Sequence, residues 1–468
     1  MVFSSLTFLF GFLPIVLLLY YGAPQKLKNL VLMLSGLFFY AWGEPFYVLL
    51  MLFTVLADYS AGLLMERLNS SPKARKWVMI GAVTLNLSLL GVFKYGSFLV
   101  ENINALFRLQ IFDPELPLPI GISFYTFQAL SYVIDLYRRK IKVQRNVISF
   151  TAYVTMFPQL IMGPIVLYSD VENEINERPV ETNMVADGIS TFICGFAKKM
   201  LLANSIGAVW TTVKGMDYAA VPAVTAWIGI LAFTFQLYFD FSGYSDMAVG
   251  LGKMLGFTFP QNFDHPYESR SITEFWRRWH MTLGNWFKSY VYIPLGGNRS
   301  GTARTVINLL IVWFLTGLWH GASWNFVLWG VYFGVIIILE KLFLKKWLEK
   351  LPGTVQWLYS FLLVVLGWVL FEMNTVGKIG AFFGALFGFN GAGFGNAQSV
   401  YLLLSNLTVF VICGLASTSL LKRIAARWEE KTPSLFRFVK MTLGIAVFVL
   451  CICYTATSSY NPFLYFNF

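Results

Sequence analysis

In Arg304-Thr305-Val306-Ile307-Asn308-Leu309-Leu310-Ile311-Val312-Trp313-Phe314-Leu315-Thr316-Gly317-Leu318-Trp319-His320, one cation precedes a run of apolar side chains that ends on a histidine. The run Thr305 to Leu318 reads as a candidate membrane-spanning helix. A helix starting at Arg304 carries His320 to about 24 Å along its axis. An ionisable side chain at that depth is a functional hypothesis by default. Desolvation there favours the neutral imidazole, the form a general base requires. The alternative is a structural histidine satisfied by a neighbouring carbonyl at the membrane interface. Small Gly321 and Ala322, then Ser323 and Asn325, argue that something approaches the ring closely.

Runs of similar character recur outward in both directions. Candidate spans are 3–21, 29–43, 46–65, 77–97, 118–137, 147–168, 184–213, 222–252, 304–320, 322–344, 354–372, 398–421 and 440–457, measured against the ~20 apolar residues a crossing needs. Of 468 residues 57% are hydrophobic and only 13% charged, against about 25% in soluble chains, and the mean hydropathy is +0.62. A soluble enzyme is excluded, and no gap holds a soluble domain. The formal charge of +11 does not indicate nucleic acid, because the basic residues lie between apolar runs, as cytoplasmic loops of membrane proteins do. Cys194, Cys413, Cys451 and Cys453 lie in apolar stretches without zinc-site or secreted-disulfide spacing, so no structural disulfide and no metal are expected.

Charge between the runs gives a topology. No basic residue precedes the first run, and Lys26 and Lys28 follow it, so it reads as an uncleaved helix with its N-terminus outside. The loops 66–76 (Arg67, Lys73, Arg75, Lys76) and 138–145 (Arg138, Arg139, Lys140, Lys142, Arg145) read as inside. The loop 98–117, with Glu101, Asp113 and Glu115, then falls outside. Lys341 to Lys350 and Lys422 to Lys440 again read as inside, leaving 377–395 and the C-terminal tail outside.

The region 184–320 is interrupted by glycines, prolines and charges, and irregular backbone at membrane depth survives only where protein or a water-filled cavity satisfies it. Function is therefore placed there. Its densest polar stretch is Glu274-Phe275-Trp276-Arg277-Arg278-Trp279-His280-Met281-Thr282-Leu283-Gly284-Asn285-Trp286-Phe287-Lys288. Read as one helix, it puts Arg277, His280 and Gly284 on one face and Phe275, Trp279, Leu283 and Trp286 on another, a pattern suited to a helix at or dipping from the interface. Its arginines either hold an anionic donor or simply obey the positive-inside rule. His265, before Pro266 in a turn-like segment, reads as structural. In Phe235–Asp246 the residues Gln236, Asp240, Gly243 and Tyr244 form a polar stripe that should face the bundle interior. For most of the stripe interhelical hydrogen bonding suffices, although Asp240 and Asp246 could orient a catalytic group. No phosphate-binding glycine loop, Gly-x-Ser-x-Gly elbow or His-Glu-x-x-His is present, which argues against ATP-driven transport and a self-contained serine hydrolase.

Taken together these segments resemble the membrane-bound O-acyltransferases, in particular the alginate O-acetylation branch. The resemblance runs through 119–128 (Pro-Ile-Gly-Ile-Ser-Phe-Tyr-Thr-Phe-Gln), 157–165, 195–199 and 238–246. It is most specific at 275–280 (Phe-Trp-Arg-Arg-Trp-His), 292–299 (Tyr-Ile-Pro-Leu-Gly-Gly-Asn-Arg) and 318–325 (Leu-Trp-His-Gly-Ala-Ser-Trp-Asn). Residues 351–455 match loosely, while the ending 461–466 looks like the branch.

The resemblance implies an all-α, polytopic membrane protein with about 11 to 13 membrane helices, plus re-entrant or interfacial helices, around a central funnel or tunnel. It implies one transmembrane domain over 1–468, with catalytic motifs in about 118–345 and further helices over 351–468. By it, His320 takes the catalytic position and His280 a second polar position. Trp319, Trp324 and Asn325 would shape the tunnel, Asp240, Tyr244 and Asn285 are further candidates, and Arg277 and Arg278 would meet the donor. The implied reaction is O-acyl transfer from a cytoplasmic thioester, acetyl-CoA, with no permanent cofactor. The acyl group would pass across a bacterial inner membrane to an exported or cell-wall polysaccharide with the help of an extracytoplasmic SGNH-type transferase. Within the family the alternative is D-alanyl or other acyl transfer to teichoic acid. Outside it, the alternative is a transporter or flippase using the polar stripe.

Overall fold

The computed structural model describes residues 1–178, 180–299 and 301–457, so the family-like ending 461–466 lies outside the described residues. The described residues are overwhelmingly helical and contain no strand. Nine of their helices are long and apolar enough to cross a membrane: Tyr47–Arg67, Pro72–Phe107, Thr182–Lys214, Ala223–Met254, Thr302–His320, Trp324–Leu348, Gly353–Glu372, Ala397–Ala416 and Pro433–Thr457. The chain is thus a multi-pass, all-α membrane protein. The expected 11 to 13 crossings included several runs that fold into shorter pieces. Thr7–Gly22 and Val376–Leu386 are apolar but short, and Lys28–Ala41 has only 14 residues.

Contacts divide the chain into two compact units, Met1–Phe192 with Tyr244–Pro260, and Ile193–Gly243 with Gln261–Phe468. In the first, the runs 118–137 and 147–168 become the helices Ile122–Tyr137 and Val147–Thr155, both almost wholly buried. The chain turns extended at Met156 before the short helix Phe157–Leu160 with Pro158 in its first turn, where a proline's missing N–H does no harm. The freed backbone is satisfied internally: Gln159 Nε2 donates to the Tyr153 carbonyl at 2.6 Å, and the Tyr153 hydroxyl donates to that of Val166 at 3.0 Å. The charged loops are shorter than the charge pattern suggested. Pro72–Phe107 runs 36 residues and takes Lys73, Arg75 and Lys76 into its first turns and Glu101 near its end.

In the second unit the helices Thr302–His320 and Trp324–Leu339 form a tight hairpin. Gly317 lies against the Phe326 carbonyl and Gly330 against the Trp313 carbonyl, closer than any Cβ permits, the small-residue contact by which membrane helices approach. The second arm continues through Glu340–Leu344 into Lys345–Leu348. Gly353–Glu372 packs against it. The basic stretch 422–440 between two candidate spans is largely helical, and Leu420–Lys431 places apolar and charged residues on opposite faces and buries none of them.

Candidate active site

The stretch 274–288 is not one helix. Ile272–Arg278 ends at extended Trp279, His280 takes a left-handed conformation (φ 45°, ψ 53°), and Met281–Phe287 starts afresh. The common face expected for Arg277, His280 and Gly284 is therefore broken. The cause lies earlier in the chain, where 262–264 pairs with the break. Asp264 N–H donates to the Arg278 carbonyl and Met281 N–H to the Asn262 carbonyl, each at 2.9 Å. Left-handed backbone costs a non-glycine residue of order 1–3 kcal/mol, and these bonds hold it in place.

The Asn262 side chain settles the state of His280. Its Oδ1 accepts the backbone N–H of Thr282 at 3.3 Å, which identifies that atom as the oxygen, and it also accepts the Thr282 hydroxyl at 2.9 Å. The His280 Nδ1 sits 3.0 Å from the same oxygen. Only a protonated Nδ1 bonds there, so neutral His280 carries its lone pair on Nε2. That nitrogen is buried without a hydrogen-bond partner among the described residues. The ring is 2% exposed and lies outside the nine spans, edge-on to Phe241 and near Trp319. Burial holds its pKa down to about 3, so it is neutral at physiological pH.

The start of the Ile272–Arg278 helix is fixed by Glu340, which the sequence reading did not single out. One carboxylate oxygen accepts Ile272 N–H at 2.7 Å and the Tyr359 hydroxyl at 3.1 Å, and the other accepts Thr273 N–H at 2.8 Å and its hydroxyl at 2.5 Å. A carboxylate on the first N–H groups of a helix satisfies donors with no intrahelical partner and complements the dipole. Glu340 is the sole acid between Ser323 and Leu348, a signal that could have drawn notice. Further along, Trp276 is packed by Trp313, Trp329 and Phe333 at centroid distances of 4.9–5.3 Å.

His320 is the last residue of Thr302–His320 and is buried, edge-on to Trp329 and Phe371 and beside Phe326. Gly321 then takes an extended conformation, and a Cβ there would run into the Phe326 ring. Ser323 donates to Asn325 Oδ1, and Asn325 Nδ2 donates to the Phe371 carbonyl at 3.0 Å. These bonds fix the turn that follows the histidine.

Two cavities meet this frame. One, of about 720 Å³, is lined by both His280 and His320, with Trp276, Thr316 and Asn285 between walls from four helices. Leu309, Val312, Trp313, Thr316 and His320 line it along one face of their helix, a distance of about 16 Å. Away from His320 its lining is basic: Arg277, Lys288, Lys341, Lys345 and Lys346, against Glu340 and Glu349. The second cavity, of about 800 Å³, begins at Gly321, Ala322, Ser323 and Asn325 and extends to Lys214, Asp217, Glu372 and Lys378. Phe326 and Phe371 belong to its wall and to the packing around His320, so the histidine stands where the two cavities adjoin.

The remaining candidates are distributed unevenly. Arg277 and Asn285 line the cavity of the histidines, while Arg278 bonds Glu274 at 2.7 Å. Trp319 is buried between the two imidazoles, and Trp324 is exposed on its helix. Asp240 makes a buried ion pair with Lys199 at 2.5 Å and lines neither cavity. Tyr244 lies in the other unit, stacked on Phe3. His265 is left-handed, half-buried and hydrogen-bonded to Asp264 in its turn.

A buried histidine at the end of a membrane helix, a second, neutral one at the same cavity, and a basic lining are an arrangement suited to group transfer inside a membrane protein. The family model for membrane-bound O-acyltransferases matches residues 138–363, and the similarity extends well beyond them. The Pseudomonas putida protein named "Probable alginate O-acetylase AlgI" is 38% identical over all of both chains. The peptidoglycan O-acetyltransferase of Helicobacter pylori is 30% identical over all of this chain and 98% of its own length. The teichoic acid D-alanyltransferase of Bacillus subtilis is 26% identical over 49% of this chain and 60% of its own. The chain belongs to the membrane-bound O-acyltransferase family and is an O-acyltransferase.

Proposed function

We propose that this protein transfers an acetyl group from a cytoplasmic thioester, acetyl-CoA, through the bacterial inner membrane for O-acetylation of an exported or cell-wall polysaccharide. The observation that carries the reading is the joining of His280 and His320 in one cavity whose far lining is basic. Such an entrance suits the phosphates of a coenzyme, with the acyl end reaching the imidazoles. By the positive-inside rule the lysines 341–350 then face the cytoplasm, and the cavity beginning at Gly321 opens outside. The same rule puts the N-terminus outside.

A thioester is already activated, so positioning and a base suffice. His320 takes the proton of the acceptor hydroxyl as its oxygen attacks the carbonyl. The tetrahedral intermediate collapses, the carbon–sulfur bond breaks, and the proton leaves with the thiolate sulfur. His280 orients by accepting a hydrogen bond at Nε2. With its proton on Nδ1 it has no donor with which to polarise the carbonyl. Asn325 and Trp319 keep the His320 turn in shape, and Arg277 meets the donor. The acceptor from the outer side is an extracytoplasmic SGNH-type transferase that passes the acetyl group to the polymer.

The full-length likeness to proteins named for O-acetyl transfer favours acetyl over D-alanyl. The test is release of coenzyme A from acetyl-CoA by proteoliposomes containing the purified protein and its acceptor. The wild type turns over and His320→Ala does not. Equal turnover by His320→Ala, or turnover with a D-alanyl carrier thioester in place of acetyl-CoA, contradicts the reading.

A further inference from the structure

In the unit Met1–Phe192 with Tyr244–Pro260, the C-terminal ends of Tyr47–Arg67 and Ile122–Tyr137 meet the start of Pro72–Phe107 around a cleft of about 400 Å³. Its polar lining is Glu66, Asn69, Arg75, Arg139, Lys142 and Arg145. Arg75 is 6% exposed. Its guanidinium donates to Asn69 Oδ1 at 3.2 Å and to the Leu136 carbonyl at 3.0 Å, and its Nε has no hydrogen-bond partner. Arg139 donates to the same Asn69 oxygen at 3.2 Å, so two guanidinium nitrogens lie no farther apart than twice that distance. Arg139 reaches this position from a left-handed backbone, φ 60°, a strained conformation that its surroundings enforce.

The charges in the cleft do not balance. Glu66, its one acid, is engaged by Arg145 at 2.9 Å. Among the described residues the side chains of Arg75, Arg139 and Lys142 form no ion pair; the oxygens that the two guanidinium groups meet are neutral, and the nearby Glu172 carboxylate, which does not line the cleft, accepts the backbone N–H of Lys142 at 2.9 Å. A buried guanidinium without a counter-charge, with a second one beside it, is strongly unfavourable unless an anion joins them. Planar guanidinium groups match a phosphate, each with two parallel N–H donors.

We propose that this cleft binds the phosphate of an anionic phospholipid. Inorganic phosphate and the phosphates of a coenzyme share that chemistry, but two features favour the lipid. The cleft lies where two membrane-spanning helices end, the level at which headgroups sit. Beside it Trp77, two residues after Arg75, is 70% exposed and Leu64 is 44% exposed, an aromatic and apolar rim suited to the bilayer interface.

The test is native mass spectrometry of the detergent-purified protein with phosphatidylglycerol and phosphatidylcholine at equal concentration. The wild type retains phosphatidylglycerol preferentially. The variant Arg139→Gln with Lys142→Gln, both exposed and outside the acyl-transfer machinery, loses that preference by about tenfold. Lys142→Gln alone gives an intermediate loss, which serves if the double variant does not fold. In parallel, phosphatidylglycerol raises the melting temperature of the wild type and not that of the variants, inorganic phosphate changes neither, and the stabilisation by coenzyme A, which binds at the acyl-transfer cavity, is the same in wild type and variants. Equal retention by wild type and both variants overturns the site. Equal stabilisation by either soluble phosphate, abolished in the variants, overturns the lipid assignment.

Discussion

Replacing Asn262 by aspartate puts the proton arrangement at His280 to a direct test. In the wild type the Nδ1 proton is held by a neutral oxygen at 3.0 Å, and burial keeps the pKa at about 3. The variant is nearly isosteric and keeps the contacts to Thr282, but sets a carboxylate against the ring. A unit charge about 4 Å from the imidazolium, at an effective dielectric constant near 20, stabilises it by about 4 kcal/mol, or about three pKa units. The pKa of His280 then rises to about 6, so the protonated form, which has no lone pair at Nε2, appears as pH falls through that value. Acyl transfer by the variant should stay within a few-fold of wild type near pH 8 and gain a new acid limb near pH 6. The chain has only three histidines, so ¹⁵N-histidine labelling gives three resolvable rings, and His280→Ala identifies one. The wild type should show a protonated Nδ1 and a bare Nε2 from about pH 5 to about pH 8. A proton on Nε2 in the wild type, or an unshifted titration in Asn262→Asp, refutes the assignment.

Two other substitutions probe what holds the site in place. Glu340→Ala leaves the N–H groups of Ile272 and Thr273 without their acceptor, at about 1–3 kcal/mol each; the melting temperature in detergent and acyl transfer should both fall, and a variant melting like wild type removes Glu340 from the account. Lys199→Met strands the Asp240 carboxylate and should cost about 3–5 kcal/mol. Adding Asp240→Leu should recover most of it in a thermal melt, and a double variant no more stable than the single one contradicts the pairing.

Where the sequence could be read, the physical reason is plain. Long runs that are apolar on all sides must be helices in a bilayer, so Thr302–His320 and Gly353–Glu372 match the runs 304–320 and 354–372 closely. The buried helices Ile122–Tyr137 and Val147–Thr155 are shorter than the candidate spans 118–137 and 147–168, because an apolar run does not reveal where tertiary contacts end it. The break at His280 carries no glycine or proline signal. It is set by Asn262, eighteen residues away and reached only through the fold. The partners of Glu340 were hidden for the same reason, being backbone N–H groups of a distant helix start, although its place as a lone acid in an apolar run was visible. His320 and His280 were legible because ionisable residues are rare in such surroundings. Asp240 and Tyr244 were legible as interior positions, and their partners Lys199 and Phe3 are matters of packing.

The central claim, that His320 carries acetyl transfer to a surface polymer, is tested most directly by the O-acetyl ester content of cell-surface glycans. The comparison is a deletion strain complemented with wild type, His320→Ala or His280→Ala, with the membrane level of each variant measured alongside. Wild type should restore the esters, and His320→Ala should restore none while inserting at the same level. Full restoration by His320→Ala would make the histidine structural and turn attention to substrate passage along the polar interior.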